Sequence, residues 1–137
     1  MSSMHAGACL CGGVRFEVRG TFNAFYLCYC RRCRKGTGSA HGANLFSGTA
    51  TLTWLQGKEL VRVFRLPETR HVRGFCRVCG SALPVQDADT GLLMVPAGSL
   101  DTPVLLRPKA RLFVGSRAGW THGLETVPGF DALPEQR

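Results

Sequence analysis

A mainly β protein with one domain is predicted by three features of this sequence. Short apolar runs alternate with polar residues at the period of a half-buried strand, and turn-forming glycines and prolines (17 and 7) separate them. No stretch has the spacing of a long amphipathic helix. The length of 137 residues fits one domain over 1–137, and a hydrophobic fraction of 45% is enough for a core. We expect nine or ten short strands in a sandwich, a barrel or a tent-like pair of antiparallel sheets.

The strands are expected at regular intervals along the chain. Val14, Phe16 and Val18 alternate with charged residues and define the first predicted strand. The apolar run 22–27 leads to Cys28, and the segment 34–38 is turn-like, after one short helical turn at most. Further strands are predicted at 43–46, 50–55, 60–66, 71–75, 82–85, 92–97 and 111–114, with a single turn at 99–101 and a tail from about 128 to 137. The aromatic residues expected in the core are Phe46, Trp54, Phe64, Phe75 and Trp120.

The overall charge admits anionic partners without identifying one. The formal net charge is +8, but seven thiolates would subtract seven charges and two Zn²⁺ would add four, so a metal-loaded chain would carry about +5. No segment approaches the ~18–20 apolar residues of a membrane span. The first eight residues lack the charged and apolar regions of a signal peptide. We therefore expect no membrane partner and a cytoplasmic, reducing location that favours thiolates over disulfides.

Seven cysteines stand in three tight groups: Cys9-Leu10-Cys11, Cys28-Tyr29-Cys30-Arg31-Arg32-Cys33 and Cys76-Arg77-Val78-Cys79. An odd number of thiols cannot all pair as disulfides, and clustered thiols are typical of metal sites. Divided as four and three, they predict two Zn²⁺ per chain, one in a closed site and one in an open site.

The flanking residues indicate which cysteines belong to the closed site. Gly12 follows Cys11 and Gly80 follows Cys79, and glycine at these positions permits a positive φ and a close approach of the backbone to sulfur. We therefore expect one tetrahedral structural zinc bound by Cys9, Cys11, Cys76 and Cys79. Such a zinc would close a loop of about 65 residues and staple the fold.

The remaining trio, Cys28, Cys30 and Cys33, is predicted to form the open, catalytic zinc site. Three thiolates leave a vacant fourth position that suits water, a thiol or a carbonyl oxygen. Two other interpretations stay open. The trio could be a redox cluster, although the βαβ context of such motifs is missing. A histidine could also complete it as a second structural site.

Four residues are candidates for contacting a substrate: Arg31, Arg32, Arg34 and His41. The arginines stand between or just after the predicted ligands, where they could hold carboxylates through paired hydrogen bonds. A basic run is also a common kind of solvated surface. His41 is the histidine nearest the trio in sequence, and a lone histidine can equally be a surface residue.

The three cysteine motifs resemble those of the glutathione-dependent formaldehyde-activating enzyme family, which includes centromere protein V. The resemblance continues through 97–101 (Ala-Gly-Ser-Leu-Asp), 113–120 and 127–130. It implies a zinc-stapled β-tent fold and the same division of the cysteines. It also implies a carbon–sulfur lyase-type activity that condenses formaldehyde with glutathione to S-hydroxymethylglutathione. The family's middle motif commonly reads Cys-His-Cys, and here Tyr29 takes the place of the histidine.

Two other functions are weighed against this one. The chain could be a non-enzymatic zinc module whose basic face contacts nucleic acid or protein, although no recognition helix or RNA-binding aromatic signature is present. It could also act on another thiol adduct, as a small-molecule lyase or dehalogenase-like enzyme. No carboxylate stands out as a general base, which disfavours a demanding hydrolysis. The resemblance implies that the ligands are a small anionic thiol such as glutathione and an aldehyde.

Overall fold

The computed structural model describes residues 3–134, in which eleven strands form three sheets. The mainly β prediction is confirmed, with three sheets instead of the expected pair. The strands are β1 (Met4–Ala8), β2 (Arg15–Arg19), β3 (Ala24–Cys28), β4 (Gly42–Ser47), β5 (Thr51–Gln56), β6 (Val61–Arg65), β7 (Val72–Cys76), β8 (Ala82–Leu83), β9 (Val85–Gln86), β10 (Leu93–Pro96) and β11 (Ala110–Leu112).

The sheets are antiparallel except at one edge. Their strand orders are β1–β2–β5, β11–β3–β4–β10–β9 and β6–β7–β8. Strand β11 runs parallel to β3, with Leu112 opposite Cys28, so the chain after β11 begins beside the cysteine trio. The single α-helix in the described part of the chain, α1 (Arg31–Thr37), follows β3 directly.

One core joins the three sheets. Its fully buried side chains include Phe16 of β2, Leu45 of β4 and Leu83 of β8. The predicted alternation is confirmed, because Val14 just before β2 and Phe16 and Val18 within it are completely buried, whereas Arg15 and Arg19 are exposed. Trp54 packs against this core, with its ring 5.8 Å from that of Phe16.

A proline makes the corner between two of the sheets. The sequence predicts one strand at 82–85, but Leu83 pairs with β7 and Val85 pairs with β10. Pro84, between them, has no backbone N–H to donate to a ladder. The strand therefore changes sheets at Pro84. The five-stranded sheet, which contains β3 and Cys28, meets the β6–β7–β8 sheet there.

Two aromatic residues expected in the core are exposed. Phe64 is 47% exposed on β6, which lies at the edge of its sheet, and Trp120 is 62% exposed in a 3₁₀ turn (Gly119–Thr121) after the last strand. The predicted tail, 128–137, contains no helix or strand up to residue 134, and its last three residues lie outside the described part. Within residues 3–134, no helix combines the length and the apolar character that a membrane crossing needs.

Candidate metal centre and neighbouring cavities

The four cysteines predicted for the closed site lie together in the structure. Cys9 and Cys11 follow β1, whereas Cys76 ends β7, so the group joins two sheets. All four sulfur atoms lie within 4.8 Å of one another. The Cys9 and Cys11 sulfurs are 3.5 Å apart, and those of Cys11 and Cys76 are 3.9 Å apart. Four thiolates around one Zn²⁺ at about 2.3 Å would be about 3.8 Å apart, so this group could hold a zinc ion.

Two similar turns position these sulfurs. The Gly12 N–H donates to the Cys9 carbonyl at 3.0 Å, and the Gly80 N–H donates to the Cys76 carbonyl at 2.8 Å. Both glycines have left-handed φ values, 78° and 77°. Backbone N–H groups also reach sulfur, from Val14 to Cys9 at 3.2 Å and from Val78 to Cys76 at 3.4 Å. The glycines thus have the conformation that the sequence predicted for turns around a metal.

A Gly80→Ala substitution is expected to destabilise the protein by about 1–2 kcal/mol, the cost of left-handed φ for a residue with a Cβ. No atom lies within 4 Å of the added methyl group, so the cost comes from the backbone alone. Chemical denaturation of the metal-loaded chain measures it. Gly98→Ala is the control, since Gly98 has open space and no left-handed φ, and should change stability by less than about 0.5 kcal/mol. Equal effects of the two changes would contradict this explanation.

The thiols of the closed group ionise at different pH values. The Ser81 hydroxyl and the backbone N–H groups of Cys11 and Ser81 lower the pKa of Cys79 to about 5, because they stabilise its thiolate. The pKa of Cys11 is raised to about 11: the Gly13 N–H lowers it, but the neighbouring Cys9 sulfur and burial outweigh this. Ser81, whose Oγ is 3.2 Å from the Cys79 sulfur, was missed as a neighbour of the site. A dication binding here would displace the protons that remain.

The second predicted group, Cys28, Cys30 and Cys33, also converges. Its three sulfurs lie within 4.8 Å of one another, and each residue is partly exposed. Cys28 ends β3, Cys30 is the N-cap of α1, and Cys33 is in the first turn of the helix. The Cys30 sulfur accepts a hydrogen bond from the Cys33 N–H at 3.4 Å. The group offers three thiolate ligands and could hold a metal ion with one position open.

Burial and mutual contact also separate the pKa values in this trio. Burial raises the pKa of Cys30, but the Cys33 N–H and the sulfurs of Cys28 and Cys33 outweigh it and the net pKa is lowered. Burial and the two neighbouring sulfurs raise the pKa of Cys33 well above its usual value. The thiol of Cys30 therefore loses its proton at a lower pH than that of Cys33, and its negative charge opposes the ionisation of Cys33.

Two cavities open beside the trio, and we name them for their linings. The basic groove, about 270 Å³, lies between α1 and the β6–β7 edge. Its walls are Arg31, Arg32, Lys35, Gly36, Phe64, Leu66, His71 and Arg73. The apolar cavity, about 180 Å³, contains Cys33 in its wall and shares Gly36, His71 and Arg73 with the groove. Among the described residues, neither cavity is lined by Asp or Glu.

The four cations of the basic groove are free of carboxylate partners. Within residues 3–134, none of Arg31, Arg32, Lys35 and Arg73 forms an ion pair. Gly36 brings the two sides together, since a Cβ on it would lie 2.8 Å from Cδ of Arg73. The groove therefore presents concentrated positive charge next to Cys33.

The predicted substrate residues are not all at these cavities. Arg31 and Arg32 line the basic groove, whereas Arg34 donates from Nε to the Tyr29 carbonyl at 3.3 Å. His41 lies against Tyr29, with ring centroids 4.9 Å apart, and its Nδ1 is 3.1 Å from the Gly42 carbonyl oxygen. Neither Arg34 nor His41 is part of the lining of either cavity.

Asn44, His71 and Arg73 are among the polar residues of the cavities that sequence reasoning missed. Burial lowers the pKa of His71, and the positive charges of Arg32 and Arg73 lower it further, so its imidazole is neutral at pH 7. Asn44 lies close to Cys33: a Cβ on Gly42 would be 3.4 Å from Asn44 Nδ2 and 3.6 Å from the Cys33 sulfur. These residues come from β4 and the β7 region, and no local motif in the sequence marks them.

The mainly β fold and its two thiol groups define a class of small cysteine-rich proteins with side chains arranged for metal binding. The chain belongs to the glutathione-dependent formaldehyde-activating enzyme family, whose model matches residues 4–116. The resemblance seen in the cysteine motifs is thereby confirmed. No curated protein matches the sequence. A crystal structure of a Rhodobacter sphaeroides protein from structural genomics has a TM-score of 0.56 at 22% identity, covering 77% of this chain and 98% of that chain. At that identity the likeness shows the fold alone.

Proposed function

We propose that this chain is a zinc-dependent carbon–sulfur lyase-type enzyme that condenses formaldehyde with glutathione to S-hydroxymethylglutathione. One observation carries the proposal: Cys33, one of three convergent thiols, lines a cavity that shares Gly36, His71 and Arg73 with an unpaired cationic groove. Family membership supports the reaction type. Cys9, Cys11, Cys76 and Cys79 would hold a structural zinc, and Cys28, Cys30 and Cys33 an open one.

The donor set fits zinc at both positions. Thiolates are ligands that zinc favours, and neither group includes a carboxylate of the kind that harder cations prefer. When bound to the trio, zinc would lower the pKa of a thiol in the open position or polarise a carbonyl oxygen. Everything else that the reaction needs must come from this chain's own side chains.

The basic groove would hold the anionic thiol. Glutathione carries two carboxylates. The guanidinium groups of Arg31, Arg32 and Arg73 can each donate two parallel hydrogen bonds to a carboxylate. Lys35, which lies on α1 with Arg31 and Arg32, adds a fourth positive charge to the groove. With its carboxylates in the groove, the sulfur of the thiol would reach toward Cys33, where the two cavities adjoin.

His71 would move the proton in this reaction. Its neutral imidazole can accept the thiol proton on a ring nitrogen. As the carbon–sulfur bond forms, the carbonyl π electrons move to oxygen, which then takes that proton. The overall addition consumes one thiol and one aldehyde and needs no oxidant. Addition to formaldehyde is undemanding once the thiolate exists, so the lack of a carboxylate base is tolerable.

Lowering the pH from 7.5 to 5.5 should tighten the binding of S-methylglutathione about threefold. The pKa of His71 lies below its usual 6.5, and carboxylates bound nearby would raise it. Ligand binding is then coupled to proton uptake, so affinity rises as the pH falls through that pKa. Calorimetric titration at both pH values measures this, with metal content checked at each. A pH-independent affinity, or an unchanged pH dependence in His71→Gln, would contradict the assignment.

The proposed reaction is tested by metal analysis and by exchange NMR. Two zinc ions per chain are expected, together with faster exchange between ¹³C-formaldehyde and glutathione than in buffer alone. Mercaptoethanol, a neutral thiol, should be accelerated much less, because it makes no use of the basic groove. No acceleration with glutathione by the zinc-loaded chain would refute the enzymatic proposal.

The unpaired cations also favour a second candidate, a zinc module that contacts nucleic acid. In that case the chain would bind a polyanion resin with an affinity that falls steeply with salt, and aldehyde exchange would stay at the uncatalysed rate. Substituting Arg31 and Arg32 would then reduce the salt dependence, whereas under the enzymatic proposal it would weaken glutathione binding.

A further inference from the structure

We propose that the apolar cavity receives the hydrocarbon substituent of an aldehyde, so that this chain acts on aldehydes larger than formaldehyde. The inference rests on the proposed thiol–aldehyde reaction and adds the class of its second substrate. It starts from a feature that formaldehyde does not require, an apolar cavity of about 180 Å³ at Cys33. The side chains that make its wall apolar are Ala43, Val72, Ala82, Leu83, Met94 and Pro96.

The size of the cavity matches a substituent of several carbons. Formaldehyde has only hydrogen atoms on its carbonyl carbon and would leave this wall without contact. In another protein, an apolar cavity of about 150 Å³ stays dry and binds benzene. The cavity beside Cys33 is somewhat larger, although it opens to solvent and has polar side chains on part of its wall. Each methylene group buried against the apolar part should improve affinity about fourfold. The wall therefore favours an aliphatic or aromatic aldehyde.

The polarity of the lining orients such an aldehyde. Its polar side chains, Thr37, Asn44, Arg70, His71 and Arg73, share the cavity with Cys33, and Met94 and Pro96 of β10 belong to its apolar wall. The Asn44 amide forms no hydrogen bond within the described residues and could donate to the carbonyl oxygen. Gly42 keeps the space between Asn44 and the Cys33 sulfur open. A carbonyl at this end would direct its substituent toward the apolar wall.

The two cavities then separate the two substrates. Both contain Gly36, His71 and Arg73, so a thiol in the basic groove and an aldehyde in the apolar cavity would meet beside Cys33. The new bond joins the thiol sulfur to the carbonyl carbon, the carbonyl π electrons move to oxygen, and the thiol proton ends on that oxygen. The product is a hemithioacetal, and no further reactant is needed.

Methyl NMR of the zinc-loaded full chain tests the cavity without relying on activity. Of the two methionines that the structure describes, Met4 and Met94, only Met94 lines the cavity, and its ¹³C-methyl signal is assigned through Met94→Leu. Titration with pentan-1-ol, which cannot react, should shift the Met94 signal saturably and leave that of Met4 in place. Affinity should rise about fourfold per carbon from ethanol to pentanol. No saturable shift at Met94, or no dependence on chain length, would overturn the inference.

Cavity-filling variants supply the matched comparison. Ala43→Leu should weaken pentanol binding at least tenfold, and Ala82→Leu, at an exposed position of the lining, should do the same with less risk to folding. Ala110→Leu makes the same change on β11, outside both cavities, and should bind as the wild type does. Equal affinity in all three variants would overturn the inference.

Kinetics separate the inference from the proposed function. We expect kcat/KM with glutathione to be at least tenfold higher for pentanal than for formaldehyde, and Ala82→Leu to reduce this ratio. If formaldehyde alone is accelerated, the proposed function stands and the inference fails. If neither aldehyde is accelerated while Met94 still responds to pentanol, the proposed function fails and the cavity's role with aldehydes fails with it.

Discussion

A Cys76→Ser variant is expected to lose its cooperative fold. Cys76 is completely buried, ends β7, and belongs both to the core and to the group of four thiols. Structural zinc contributes about 10–16 kcal/mol of binding free energy in zinc-finger peptides, whereas a whole domain is stable by only about 5–15 kcal/mol. Loss of this ligand should therefore outweigh the rest of the fold. Circular dichroism during thermal denaturation, with zinc content measured on the same sample, tests this.

A second substitution distinguishes loss of metal from loss of packing. Cys76→Val keeps an apolar side chain in the core but supplies no ligand, so it too should unfold if zinc is the cause. If Cys76→Val folds normally while Cys76→Ser does not, the buried hydroxyl is the cause and the structural-zinc assignment is wrong. Normal zinc content and a normal melting temperature in both variants would contradict it equally.

The strands that sequence patterns predicted are those with local signals. Val14, Phe16 and Val18 alternate clearly, and β2 formed as expected. Strand β1 was missed because Met-His-Ala-Gly-Ala has no alternation of apolar and charged residues. Its place depends on tertiary contact, since Gly7 lies so close to Phe16 that a Cβ there would be 2.3 Å from the ring. The helix α1 was underestimated as one turn, because the Cys30 sulfur acts as its N-cap.

The two groups of thiols were predictable for a related reason. Cysteine spacing is a local property, as is the glycine after Cys11 and after Cys79, and both groups of thiols converge in space as this spacing predicted. The cavities were not predictable, because they depend on how α1 packs against β7. His71 and Arg73 have no motif of their own and gain a candidate role only through their place opposite Arg32 and Cys33. Pro84, which makes the corner between sheets, looked in sequence like one more strand residue.

A Cys33→Ser variant should keep its fold, retain one zinc instead of two, and lose at least about 100-fold in thiol–aldehyde exchange. Replacing a residue that hydrogen-bonds to a metal ligand typically lowers metal affinity or activity about 10–100-fold. Replacing the ligand itself should lower activity more. The fold should survive because Cys33 is only partly buried, in a seven-residue helix outside the core. Exchange NMR, zinc analysis and thermal denaturation on one preparation measure all three quantities.

The comparison between Cys33→Ser and Cys76→Ser tests the division of the seven thiols. Two distinct outcomes are expected, an inactive folded protein and an unfolded one, because one group joins two sheets and the other is partly exposed beside the apolar cavity. If both variants unfold, the trio is a second structural site and the open coordination position has no catalytic meaning. If Cys33→Ser keeps two zinc ions and full exchange activity, the trio is not the metal site that acts on the thiol. A folded, one-zinc, inactive Cys33→Ser protein is therefore the result that the proposed mechanism requires.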